Sequence, residues 1–222
     1  MQIAGFIKNS FVDYPGLIAA VVFVPGCNMD CWYCHNKHLL KSQNLIDPEV
    51  INSFLDTHKG FIDGVVISGG EPTLQSGIED FIKKVRDKGY RVKLDTNGTR
   101  PKVIKRLIGL TDYIAMDTKA PPGGLHRVVS FKMDESPIWQ TADILMDSGV
   151  DYEFRTTFMP FLNEKDIVRI AKRISGSKRY ALQQYRKTDG QSIQPEPHSA
   201  DTLNRAAKAA SKYVCNVVVR GI

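Results

Sequence analysis

Runs of β-forming residues alternate with amphipathic helical runs along this 222-residue chain, and that alternation restricts its fold more than any other feature. "IAAVVFV" at 18–24 has the pattern of a buried strand and is closed by Pro25 and Gly26. "DPEVINSFLDTH" opens a helix, with Asp47 as N-cap and Pro48 at the first helical position. "GVVISGG" at 64–70 reads as a strand running into glycines. "SGIEDFIKKVRDKG" then places Ile78, Phe81, Ile82 and Val85 on one helical face and stops at Gly89. The series continues with "YRVKLDTNG" (strand), "PKVIKRLIGL" (helix), "DYIAMDTK" (strand), "SPIWQTADILMDSG" (helix) and "VDYEFRTTFMP" (strand). "NEKDIVRIAKRI" (helix), "RYALQQY" (strand) and "SADTLNRAAKAAS" (helix) follow, and "VCNVVVR" closes as a last strand. Such an order is the signature of parallel βαβ units. At 42% hydrophobic residues the chain can bury the core of one larger domain, and no linker divides it.

In parallel α/β folds the chemistry collects at the C-terminal ends of the strands. The unusual residues of this chain sort there. A cysteine-rich loop follows the first buried strand, "SGGEPT" the second, "DTNG" the third and "MDTK" the fourth, while Arg155 lies in the fifth. One site at one rim is the economical expectation.

Three of the four cysteines, Cys27, Cys31 and Cys34, fall within "GCNMDCWYCHN", and Cys215 is remote. Three close cysteines and one distant partner make a poor disulfide framework. Metal or redox chemistry in a reducing cytoplasm is the better expectation. Two metal readings are open from spacing alone. Zinc in a structural site takes four protein ligands, and His38, or the nearer His35, could complete a Cys3His set as a non-catalytic module. A four-iron cluster held by only three cysteines keeps one iron open to an outside ligand. Cys215, in an apolar run, is expected to be a buried small hydrophobe.

The net charge of +6 suits acidic partners, but the basic residues are scattered apart from the 165–187 stretch, so nucleic acid is not expected as a partner. No apolar run of about eighteen residues is present to span a membrane. The first residues lack a basic leader with an apolar core, so no secretory signal is expected.

The C-x3-C-x2-C loop with Tyr33 before its last cysteine resembles the signature of the radical S-adenosylmethionine enzymes. Gly69-Gly70-Glu71 resembles that superfamily's glycine-glycine-glutamate motif. "GCNMDCWYCHN", "SGGEPTLQ", "DTNG" and "MDTK", with the lead-in "SFVDYPG", together resemble the activating enzymes of glycyl-radical enzymes. The tyrosine in that lead-in and the "LQQY" strand resemble the branch of anaerobic ribonucleoside-triphosphate reductase activating proteins. The resemblance implies a partial (β/α)6 TIM-like barrel: residues 1–16 as lead-in, 17–190 as barrel core, 191–222 as C-terminal helix and strand.

The same resemblance implies a [4Fe–4S] cluster on Cys27, Cys31 and Cys34, with S-adenosylmethionine chelating the open iron. Reductive cleavage would yield a 5′-deoxyadenosyl radical that abstracts hydrogen from a glycine of a partner, and an anaerobic ribonucleotide reductase is the partner expected. Electrons would come from a flavodoxin or ferredoxin, since no cysteines remain for a second cluster. Gly69 and Gly70 would let backbone approach the methionine moiety, Glu71 would accept from its ammonium, and Tyr33 would frame the adenine. Lys119 and Arg155 would meet the cofactor carboxylate or ribose, and Gln184, or its neighbour Gln183, the ribose. Asp95, Thr96, Asp117 and the carbonyl of Ala115 would bind a monovalent cation. An Asx-type turn at 95–98, a plain strand-to-helix turn at Glu71 and simple packing of Tyr33 are the structural alternatives. A radical enzyme acting on a small molecule or RNA is the functional one.

Overall fold

The computed structural model describes residues 1–187 and 195–222, and the expected boundary at 190/191 lies outside the described residues. The described chain falls into two compact units. The first comprises residues 1–28, 36–96 and 102–115, and the second residues 29–35, 97–101 and 116–222. Within each unit the paired strands follow one another in chain order.

The first unit begins with β1 (Gly5–Ser10), antiparallel to β2 (Ala19–Val24). β1 lies in what the sequence suggested was a lead-in. Three of its six residues are exposed, so it carries no apolar alternation to announce a strand. The turn between the two strands explains "DYPG": Leu17 N–H donates to the Tyr14 carbonyl across Pro15 and Gly16, and Gly16 has φ +76°. That is a type II turn, with proline at its second position and glycine at its third. It drops Tyr14 into a buried cluster with Val21, Val66 and Tyr113.

A four-residue helix α1 (Lys37–Leu40) precedes α2 (Pro48–Thr57), where the Asp47 side chain accepts from Glu49 N–H and Pro48 sits in the first turn as expected. β3 (Gly64–Gly69) runs parallel to β2, and β4 (Arg91–Thr96) parallel to β3. Between them α3 (Ile78–Asp87) buries Ile78, Phe81, Ile82 and Val85, the four residues read from its periodicity. Burying each such side chain contributes about 1.5–3 kcal/mol before entropy is counted. α4 (Pro101–Leu107) and β5 (Tyr113–Asp117) follow, and β5 passes into the second unit at Met116.

The second unit contains α5 (Ser136–Met146), β6 (Asp151–Phe158), α6 (Glu164–Arg173), β7 (Tyr180–Gln184), α7 (Ala200–Ala210) and β8 (Val217–Arg220). β6, β7 and β8 are parallel in that order. A capping box fixes the start of α6, with the Asn163 and Asp166 side chains each accepting from the other's backbone N–H. Arg220 of β8 reaches Glu153 of β6 in a bidentate pair at 2.9 and 2.7 Å, and Glu153 is 1% exposed. Cys215 departs from expectation. It is exposed, because β8 begins only at Val217 and the cysteine lies in the turn that leads into it. No helix among the described residues is long and apolar enough to cross a membrane.

Candidate active site

In the first unit the end of β2 and the end of β3 are locked together backbone to backbone. Gly70 N–H donates to the Val24 carbonyl and Glu71 N–H to the Gly26 carbonyl, both at 2.8 Å. A Cβ on Gly70 would lie 1.9 Å from the Gly26 oxygen, and one on Gly69 would lie 2.6 Å from two Val24 backbone atoms. The double glycine is therefore required by its contact with the turn that launches the cysteine loop. The same turn accepts from Gln75 Nε2 at the Pro25 carbonyl, at 2.7 Å, and its Gly26 N–H donates to Leu40. Asn36, just past the cysteines, donates to the Gly69 carbonyl at 3.1 Å. The half-buried Cys27 thus leaves a turn fixed on several sides.

Glu71 is 1% exposed. Its Oε1 accepts from Thr73 N–H at 3.0 Å, from the Thr73 hydroxyl, and from the Thr96 hydroxyl at 2.8 Å. It is a turn cap as well as a candidate ligand for an ammonium. Asp95 accepts from the Ser68 hydroxyl at 3.0 Å and forms an ion pair with Lys93, which is 1% exposed. Lys93 was not anticipated. The signal was there, since strand alternation puts residues 93 and 95 on one face. Ala115 is fully buried within β5.

In the second unit Cys31 is buried and bridges to Val129 in an isolated antiparallel pair, while Trp32 N–H donates to Val128. Cys34 N–H donates to the Cys31 carbonyl at 3.0 Å, which closes the C-x2-C turn. The Trp32 ring contacts the rings of Tyr33, Phe161 and Tyr185. Tyr33 is 7% exposed, and burial pushes its phenol well up, only partly offset by Lys119. At the end of β5, Asp117 lies between Lys119 at 3.0 Å and Arg155 at 2.9 Å. Burial alone would raise the Asp117 carboxyl, but Arg155 and Lys119 outweigh it and hold the pKa down at about 2. Lys119 is held well above the usual ammonium range, because Asp117 and Tyr33 overcome its own burial. A small cavity lined by Met29, Asp117, Lys119, Leu125 and Trp139 adjoins this cluster. The buried indole N–H of Trp139 has no hydrogen-bond partner among the described residues.

The register of the second unit separates the two glutamines. Arg155 pairs with Ala181, Thr157 with Gln183, and Gln183 with Arg220. Gln183 therefore shares the face of Arg155, and Gln184 has the opposite one. The Gln184 amide donates to the His198 carbonyl at 2.9 Å. Gln183 takes over as the candidate, since sequence alternation could not tell which parity faced Arg155. His35 and His38 are both exposed. The 95–98 turn continues into an Asx-type turn, but at Asn97, whose side chain accepts from Thr99 N–H at 3.0 Å.

No three His, Cys, Asp or Glu side chains stand together as a ready-made metal site among the described residues. The donor set nonetheless suits iron–sulfur chemistry: three thiols in one loop, soft ligands for iron, with no fourth cysteine near them in sequence.

Comparison with known proteins agrees with that chemistry. Residues 21–174 match the model of the radical SAM superfamily. A Methanocaldococcus jannaschii protein that carries the provisional name glycyl-radical enzyme activating enzyme is 38% identical over 99% of this chain and 96% of its own length. The pyruvate formate-lyase-activating enzyme of Streptococcus mutans is 30% identical, over 70% of this chain and 64% of its own. Among solved structures, Streptococcus suis SuiB has the same fold at a TM-score of 0.70 with 14% identity, over 90% of this chain and 49% of its own, so this chain spans about half its length. A domain of a Bacteroides vulgatus pyruvate-formate lyase-activating enzyme matches at a TM-score of 0.53 and 17% identity, over 72% of this chain and 99% of that domain. The chain thus belongs to the radical S-adenosylmethionine superfamily and, within it, to the glycyl-radical-enzyme activating enzymes, which use a [4Fe–4S] cluster and S-adenosylmethionine.

Proposed function

We propose that this protein installs a glycyl radical on an anaerobic ribonucleoside-triphosphate reductase. The observation that carries the activase reading is the 38% identity along essentially the whole chain to a relative bearing that name. The choice of reductase rests on the "SFVDYPG" and "LQQY" segments. A flavodoxin or ferredoxin in the cytoplasm is the proposed electron donor.

When bound, the cluster and S-adenosylmethionine supply reductive cleavage of the sulfonium C–S bond, releasing methionine and a 5′-deoxyadenosyl radical. The chain's own residues hold and orient. Cys27, Cys31 and Cys34 would be the thiolate ligands. The backbone lock at Gly70 and Glu71 would fix the entry to the cysteine loop. Glu71, oriented by three donors on Oε1, would accept from the methionine ammonium. Lys119 and Arg155, both oriented by Asp117, would meet the cofactor carboxylate or ribose. Tyr33, kept protonated by burial, would offer an aromatic wall to the adenine and help exclude water. Gln183, on the face of Arg155, would reach the ribose.

The test is to mix the reduced, reconstituted protein with S-adenosylmethionine and a purified anaerobic ribonucleotide reductase, then record the electron paramagnetic resonance spectrum. A glycyl radical on the reductase, lost when its radical-site glycine is replaced by alanine, is expected. Cleavage of S-adenosylmethionine without a radical on the reductase would exclude that partner.

A further inference from the structure

Lys93 is a buried cation that the proposed chemistry does not use. It lies in β4 opposite Val66 of β3, so strand alternation puts Lys93, Asp95, Val66 and Ser68 on one face. Val66 belongs to the buried cluster of Tyr14, Val21 and Tyr113. The lysine stem thus rises from an apolar floor, and its ammonium ends on Asp95 Oδ1 while the Ser68 hydroxyl donates to Oδ2. The lysine side chain is 2% exposed and the aspartate side chain 13%. An ammonium so placed stays buried because a carboxylate meets it.

The residue types at Asp95, Thr96, Ala115 and Asp117 suggested a monovalent cation, a hard ion that takes oxygen ligands and would be drawn here by the two carboxylates. The side chains do not fit that ion. Asp95 is already neutralised by Lys93, and both of its oxygens have donors. The Thr96 hydroxyl, which donates to Glu71, keeps its lone pairs but brings no charge to attract the ion. Asp117, in the second unit, is outnumbered by Lys119 and Arg155. A metal ion brought to either carboxylate meets a resident cation first.

We propose that the Lys93 ammonium is the built-in counter-ion of Asp95, so that this protein binds S-adenosylmethionine without an alkali metal ion. Lys93 is then a positioning residue that acts through Asp95. The inference rests on the cofactor use of the family and concerns a charge that metal ions supply only if the lysine is absent.

The experiment measures S-adenosylmethionine affinity of the reconstituted holoprotein by equilibrium dialysis, with potassium and sodium exchanged for choline at constant ionic strength. Thallium(I) binding is followed in parallel as a direct reporter of an alkali-ion site. Wild type is expected to change by less than about twofold in choline and to bind no thallium ion, whereas Lys93→Ala is expected to lose about tenfold in choline. Potassium or ammonium should restore the variant, and the variant should gain one thallium ion. Wild type that loses about tenfold in choline, or that holds one thallium ion displaced by potassium, would overturn the proposal. So would a folded Lys93→Ala protein with unchanged affinity in choline. If that variant does not fold, the wild-type measurements and Lys93→Gln, which keeps most of the volume, still decide. If no salt supports cofactor binding, the enzyme reading fails, and the thallium titration still tests the counter-ion by itself.

Discussion

The two units hold their key carboxylates in opposite ways. In the first, Glu71 is caged by hydroxyl and amide donors and Asp95 is matched by one lysine. In the second, Asp117 is clamped between two cations, Lys119 and Arg155. Neutral donors fix a carboxylate by direction, whereas flanking cations fix it by charge and lower its pKa. Geometry is set by backbone contact and hydroxyls in one unit, and by paired charges in the other.

That contrast breaks most severely at Gly70. Replacing it with alanine puts a Cβ 1.9 Å from the Gly26 oxygen, where only backbone can yield. The expected loss is about 3 kcal/mol or more, read by denaturant titration, with little dependence on salt because no charge is involved. A loss below about 1 kcal/mol would show that the turn is not locked. Arg220→Ala comes next, since it strands the buried Glu153 carboxylate; about 3 kcal/mol is expected from the same titration.

Asp117 gives a smaller and pH-dependent effect. Its pKa lies near 2 against an ordinary 3.8, so its contribution is present above pH 3.8 and is lost as pH falls through about 2. For a side chain 29% exposed this amounts to roughly 1–2 kcal/mol at neutral pH. Stability curves of wild type and Asp117→Asn should therefore converge on acidification. Parallel curves would mean that Lys119 and Arg155 do not hold the carboxylate. The smallest effect separates the glutamines. Gln183→Ala should raise the KM for S-adenosylmethionine several-fold, about 1 kcal/mol, while Gln184→Ala should leave KM unchanged and cost about as much in stability.

Much of this was legible in the sequence because it is local. The period of α3 named its four buried residues, Asp47 and Pro48 marked the start of α2, and the cysteine motif carried the resemblance to the radical S-adenosylmethionine family. What escaped was relational. β1 is recognisable only by its pairing with β2, since its own residues are half exposed. The Lys93–Asp95 pair needed the knowledge that this face of β4 is buried. The parity that selects Gln183 is set by register with β6, and the Glu153–Arg220 pair joins residues far apart in the chain. The cause of the double glycine was also non-local, because the atom it avoids belongs to Gly26.

The most direct measurement is anaerobic. The protein would be reconstituted with iron and sulfide, reduced, and given S-adenosylmethionine, with 5′-deoxyadenosine quantified against Cys31→Ala. The account predicts a coloured, iron-loaded protein that forms 5′-deoxyadenosine, and a loss of about a thousandfold or more in the variant. A colourless, zinc-loaded protein that cleaves nothing would contradict it and make the cysteine loop a structural zinc site.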